Sequence, residues 1–192
     1  MFQIKKVIKA QKRIALFVEG DTEENYFKGF KSSNNTNNTK IIIKNVVNVK
    51  GGGYEKFLKI LKKSSMVGYL AFFIVLDLDK YDEEKENFHK LLDYCNKQNK
   101  IGNPHFIIGT NKDFELFSCC HCDEFKVGKS TKNHIEKVFN FKSVNDFKSY
   151  EKIYEFLNKD NRSYEKALEK LNKFNNFLCN KYSFKEKILI YQ

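Results

Sequence analysis

Residues 69–79 read YLAFFIVLDLD: eight apolar side chains in succession, then Asp77-Leu78-Asp79. An apolar run of that length, with no polar alternation, suits a strand covered on both faces. That is the situation of a central strand in a parallel sheet flanked by helices. The sequence on either side fits the same scheme. Residues 13–18 (RIALFV) form an earlier apolar strand ended by Glu19-Gly20, and residues 40–49 (KIIIKNVVNV) a second one rich in β-branched residues. After Pro104, residues 105–109 (HFIIG) form a fourth. Between the strands the apolar period becomes helical. Asp21 or Thr22 can cap a helix with Glu23 and Glu24 in its first turn and Tyr26, Phe27 and Phe30 on its core side. Residues 31–39 read as a polar loop. Gly51-Gly52-Gly53 is a flexible turn into a helix bearing Phe57, Leu58 and Leu61. Residues 82–98 space Phe88, Leu91, Leu92 and Cys95 as a helix does, and helix resumes from Asp113 through Phe114, Leu116 and Phe117. This alternation over residues 13–122 predicts an α/β fold, a parallel sheet of about four strands flanked by helices. Residues 1–128 are taken as the α/β core. Residues 129–192 are taken as a mostly helical extension packed on it, with 188–191 as a candidate edge strand.

The 192 residues suit one domain with a real core, and 41% of them are apolar. A net charge of +11 favours polyanionic partners, nucleic acid first and an anionic membrane second. The longest apolar run is far short of the roughly 20 residues that span a bilayer, so no membrane partner is expected. The N-terminus lacks the apolar core of a signal peptide. Five cysteines, Cys95, Cys119, Cys120, Cys122 and Cys179, make no secreted disulfide pattern. A reducing cytoplasm is the expected location.

In a parallel sheet, functional groups collect beyond the C-terminal ends of the strands. Glu19 and the Asp77/Asp79 pair both fall there. Acids at neighbouring strand ends are costly to desolvate and repel one another, and a hard cation such as Mg²⁺ or Mn²⁺ would relieve both costs. Such an ion activates water and neutralises phosphoryl charge. If the backbone stays extended past Asp77, Asp77 and Asp79 point the same way and reach one ion. Lys50, Lys80 and Lys112 fall at predicted strand ends beside these acids, where an ammonium stabilises a charged phosphate.

These residues resemble the Toprim domain, whose pattern is a Glu, usually followed by Gly, after one strand and D-x-D after a later one. More specifically, the chain resembles the RloB-like family, which overlaps with abortive-infection proteins of the AbiLii type. Residues 18–27 (VEGDTEENYF) look like the family's E-G-x-x-T-E-x-x-Y-F signature. Residues 49–53 are similar to its glycine-rich strand end, residues 74–79 to its D-x-D strand, and residues 111–117 (NKDFELF) to its S-N-P-x-F-E-x-W segment. Thr110, Lys112 and Phe117 depart from the usual Ser, Pro and Trp. The resemblance implies a metal-dependent nuclease of antiphage defence, with Glu19, Asp77 and Asp79 as ligands of Mg²⁺ or Mn²⁺. Glu19 alternatively serves as a general base. Glu115 and Lys80 join the catalytic set, and Lys50, Lys112 and Asn111 contact substrate. Asn111 alternatively caps a helix, and Glu23 is either a capping-box residue or a supporting acid. Family neighbours imply an ATPase partner encoded nearby, and oligomerisation is left open. The substrate is nucleic acid, with RNA such as tRNA favoured over DNA.

Two other readings compete. One is a haloacid-dehalogenase-type phosphatase with Asp77 as nucleophile and Asp79 as general acid. Against it, Lys80 and Tyr81 stand where a small residue and Thr are usual. The other is a basic module that binds nucleic acid or a partner without catalysis, its acids serving as caps. Gly128-Lys129-Ser130 looks like the end of a P-loop, but the required earlier glycine is replaced by Asp123 and the segment follows a helix. Residues 119–122 (CCHC) cannot all face one ion from one helix, so they read as core rather than zinc site. His89 and His134 read as exposed.

Overall fold

A computed structural model describes residues 12–36, 41–110 and 113–174. Its centre is a four-stranded, all-parallel sheet in the order β2-β1-β3-β4. The strands are β1 (Lys12–Val18), β2 (Ile41–Asn48), β3 (Ala71–Asp77) and β4 (His105–Thr110). Three helices connect them: α1 (Asp21–Thr36), α2 (Gly53–Lys63) and α3 (Lys85–Lys100). Five short helices follow: α4 (Phe114–Cys120), α5 (Thr131–Lys137), α6 (Val144–Lys148), α7 (Ile153–Leu157) and α8 (Tyr164–Phe174). The fold is thus the α/β arrangement expected, a parallel sheet of four strands flanked by helices, with further helices at the C-terminal end. Residues 188–191 lie outside the described residues.

Alternate side chains of the central strands build two cores. Ile14, Leu16, Val18, Phe73 and Val75 face α1 and the C-terminal helices. Ala15, Phe17, Phe72, Ile74 and Leu76 face α2 and α3. β3 is therefore sealed on both sides, which accounts for its unbroken apolar sequence. The first core runs on through Phe125, Ile135, Phe147, Ile153 and Leu157. Tyr26 keys α1 to the later helices. Its ring lies 5.3–5.5 Å from those of Phe114, Phe117 and Tyr154, and its hydroxyl is 3.2 Å from Nε2 of buried His121. Burial pushes the His121 imidazole down to about 4, so it sits neutral in this core.

Several expectations change. Residues 31–36 continue α1 and are not loop. Thr22 lies inside α1, buried, and is not its cap. His134 is buried between the rings of Phe125 and Phe139, while Cys119, Cys120, His121 and Cys122 are core residues as read. The glycine turn is far from loose. Lys50, Gly51, Gly52 and Gly53 all take positive φ (60°, 63°, 88° and 66°), a left-handed path that favours glycine. It delivers the start of α2 against Glu84, whose carboxylate occupies the space that a Gly53 Cβ would need.

The continuity of the first core makes a test. Phe147→Ala, at a position with no solvent exposure, is expected to cost about 3–5 kcal/mol. Urea unfolding followed by circular dichroism should show one transition at lower denaturant. A new early transition beside an unmoved main one would mean that the C-terminal helices unfold as a separate unit.

Candidate active site

The strand registers assemble the acids. Val18 pairs with Val75, so the residue after β1 lies beside the end of β3, and Asp77 pairs with Thr110 at the end of β4. Glu19 turns its carboxylate across this edge, and Oε2 accepts from the Asp77 amide at 3.0 Å. Asp77 Oδ1 is 2.5 Å from the Thr110 hydroxyl, which also lies 3.3 Å from the Leu76 carbonyl. The hydroxyl of buried Tyr54 donates to the Asp77 carbonyl at 2.9 Å. Asp77 is thus gripped at its backbone from the end of β1 and from α2, and at its carboxylate from β4.

Asp77 continues the face of Phe73 and Val75, the side on which α1 and α4 pack. There it meets two further acids. Glu23, 4% exposed in the first turn of α1, folds back so that its Oε2 would touch a Cβ at Gly20 at 3.2 Å. Glu115, 6% exposed in the first turn of α4, accepts from the Thr22 hydroxyl at 3.3 Å and pairs with Lys148 Nζ at 3.4 Å. Glu19 lies towards the other side, within the influence of Lys80, Asp79 and Glu84. Acids therefore approach the sheet edge from both faces.

Their protons report the crowding. Burial, then the Glu23, Glu19 and Glu115 carboxylates, push the Asp77 carboxyl up to about 9 against the lowering effect of Thr110. Burial, with Glu115 and Glu19, raises Glu23 to about 7. Burial raises Glu19 against the opposing Asp77 amide and Lys80. Glu115 is raised by burial, and Lys148 offsets part of that. Burial and the surrounding acids also raise the Tyr54 phenol.

Asp79 departs from the extended arrangement. The strand ends at Asp77, Leu78 bends, and residues 79–80 enter a turn in which the Tyr81 amide donates to the Leu78 carbonyl at 3.2 Å. Leu78 is held there by its amide bond to the Thr110 carbonyl, 3.0 Å, and by packing over Gly109. Asp79 and Lys80 are exposed, so the period-two argument that aimed Asp77 and Asp79 at one point does not hold. Lys50 is exposed at the end of β2, with its amide on Asn48 Oδ1 at 2.7 Å. Asn111 and Lys112 lie outside the described residues. Among the described residues no three His, Cys, Asp or Glu side chains already surround one point. As placed, Glu19 is engaged by the Asp77 amide and Asp77 by Thr110, on opposite sides of the edge.

Sequence reasoning brought forward Glu19, Asp77 and Glu115 and left Glu23 between two roles. It missed Thr22, Tyr54 and Lys148. The spacing of Glu19 and Glu23, one helical turn apart across the strand-to-helix junction, was the available signal for Glu23. No local pattern marks Lys148, which reaches Glu115 only through the packing of α6.

The model of the RloB-like protein family matches residues 14–187, which include every acid named above. The chain belongs to the RloB-like family. Among solved structures, the C-terminal region of the Burkholderia pseudomallei OLD protein matches this RloB-like chain with a TM-score of 0.43 and 16% identity. That match covers 85% of this chain and 98% of the other. No curated protein matches the sequence. No helix among the described residues is long and apolar enough to cross a membrane.

The raised acids give a stability test. A carboxyl whose folded value lies above its unfolded value near 4 keeps a proton that the unfolded chain releases. Stability contributed by such a group is full below about pH 4 and falls as pH rises towards about 9 for Asp77. Asp77→Asn should therefore raise metal-free stability above neutrality, by on the order of 1–3 kcal/mol, and change little near pH 4. Melting in EDTA at both pH values measures this. Loss of stability at high pH would show that Asp77 is a structural acid.

Proposed function

We propose that this RloB-like chain is a divalent-metal-dependent endonuclease that hydrolyses phosphodiester bonds and acts as an antiphage effector. The observation that carries the reading is the set of crowded carboxylates, buried Glu23 and Glu115 with half-buried Glu19 and Asp77, at the C-terminal edge of a parallel sheet. A purely structural site would not collect four acids where each raises the proton affinity of another. The donor set fits Mg²⁺ or Mn²⁺ in chemistry, since it is all carboxylate oxygen, and release of protons accompanies binding. Glu19 and Asp77 would hold the ion, with Asp79, Glu23 and Glu115 within the same edge. When bound, the ion supplies water activation and charge neutralisation at the phosphate.

The chain's own residues prepare that event. Thr110 and Tyr54 fix Asp77, and Thr22 orients Glu115. Rotation of Glu19 away from the Asp77 amide frees its carboxylate for a ligand. Once deprotonated, Glu23 is an acceptor for a proton from an attacking water. Lys80 beside Glu19 and Lys148 beside Glu115 place ammonium groups on both sides of the acids, where a phosphate would otherwise meet only negative charge. Lys50 and the overall +11 charge draw the polyanion in. RNA, including structured RNA such as tRNA, is favoured over DNA because a small effector stops growth most directly by halting translation. Activation through an ATPase partner in the cytoplasm is part of the same reading.

The test incubates the protein with plasmid, single-stranded DNA and total tRNA in Mg²⁺, Mn²⁺ or EDTA. Cutting should require metal, and Asp77→Ala should reduce it to background. Lys148→Ala should lower it about 10–100-fold, the usual scale for groups that support a metal site. No cutting together with no metal-induced rise in melting temperature would move the reading to a non-catalytic binding module. Metal affinity should also climb between about pH 6 and about pH 9, because Glu23 and then Asp77 must give up protons. Calorimetric titration with Mn²⁺ reads this directly, and a flat profile would remove Asp77 from the ligand set and Glu23 from its surroundings.

A further inference from the structure

Residues 127–131 (VGKST) lead from the turn after α4 into α5. They form one wall of an open groove of about 460 Å³, whose other wall is Asp113 and Leu116 at the start of α4. That volume lies within the roughly 300–1,000 Å³ of small-molecule sites. The lining is mixed. Leu116 and Val127 offer apolar surface, Asp113 and Thr131 polar groups, and Lys129 an exposed ammonium. Gly128 leaves the space beside it open, since a Cβ there would meet nothing within 4 Å.

Position gives the groove its meaning. One helix serves both sites: Glu115 turns to Thr22 and Lys148 among the acids, while its neighbours Asp113 and Leu116 line the groove. α4 begins just beyond the C-terminal end of β4, so groove and acids share one edge of the sheet. The Asp113 carboxylate is near enough to help raise the Glu115 carboxyl. A strand whose phosphodiester lay at the acids would carry a further nucleotide along this edge. We propose that the groove holds that nucleotide, its base against Leu116 and Val127 and its phosphate towards Lys129. The apolar part of the lining accepts any base face, and the single exposed ammonium matches one phosphate. The proposal rests on the nuclease reading and adds where the substrate strand lies.

The test is binding, in EDTA, of short single-stranded RNA and DNA oligomers to the full chain. Lys129→Ala, an exposed position, should weaken binding about 5–20-fold, the scale of one charge-assisted contact. The chain has no tryptophan, so Val127→Trp supplies a single emitter in the groove wall. Base stacking should quench its emission as either oligomer is added. Unchanged affinity in Lys129→Ala overturns the proposal, as does unquenched emission from a folded Val127→Trp that still binds. Cutting of RNA or DNA by the wild type in Mg²⁺, alongside those negative results, would leave the nuclease standing without the groove. Groove binding with neither cutting nor a metal-induced rise in melting temperature would overturn the nuclease reading alone.

Discussion

Val18 lies beside Val75, and Asp77 beside Thr110. These two registers decide which chemical groups meet. A parallel strand sealed on both faces cannot slip by one residue without reversing every side chain it presents to the two cores. β3 is held by Phe73 and Val75 in one core and by Phe72, Ile74 and Leu76 in the other. Its last residue is thereby delivered to one place, and the acids of α1 and α4 can be positioned against it. The apolar strand acts as the ruler, and the carboxylates are set out from its end.

That arrangement works against stability. Burying a carboxylate costs free energy, and each further acid adds to it. Asp77, Glu23, Glu19 and Glu115 all hold protons more tightly than they would in water. The surroundings offset only part of this, through the Asp77 amide on Glu19, Thr110 on Asp77 and Lys148 on Glu115. A fold under selection for stability alone would place amides or apolar groups here. The two apolar cores beneath supply the margin that tolerates the strain.

Much of this was legible in the sequence, and the failures have physical causes. An apolar strand announces itself through composition, so all four strands were found, to within a residue or two at their ends. Acids that follow strands were legible for the same reason. The conformation after Asp77 was not, because a bend at Leu78 depends on the Thr110 carbonyl and Gly109 of a neighbouring strand. Residues 31–36 misled because Ser and Asn compete with helix by bonding locally, yet α1 carries them on from a packed first half. His134 looked solitary in sequence because the rings that enclose it, Phe125 and Phe139, come from a turn and a short helix end.

Lys148 shows how the C-terminal helices reach the acids at the sheet edge. α6 gives Glu115, which the Thr22 hydroxyl also meets, its ammonium partner. Phe147, the residue before Lys148, is fully buried in the core that also holds Phe114, the residue before Glu115. Adjacent residues on two helices thus do paired work, one anchoring and the next projecting to the edge. The Lys148 side chain is 46% exposed, so water screens its charge and its attraction for Glu115 is modest. In the proposed nuclease, that suits a group that exchanges partners. A cation held loosely at a crowded acid can turn to an incoming phosphate, whereas a buried ion pair would have to be broken first.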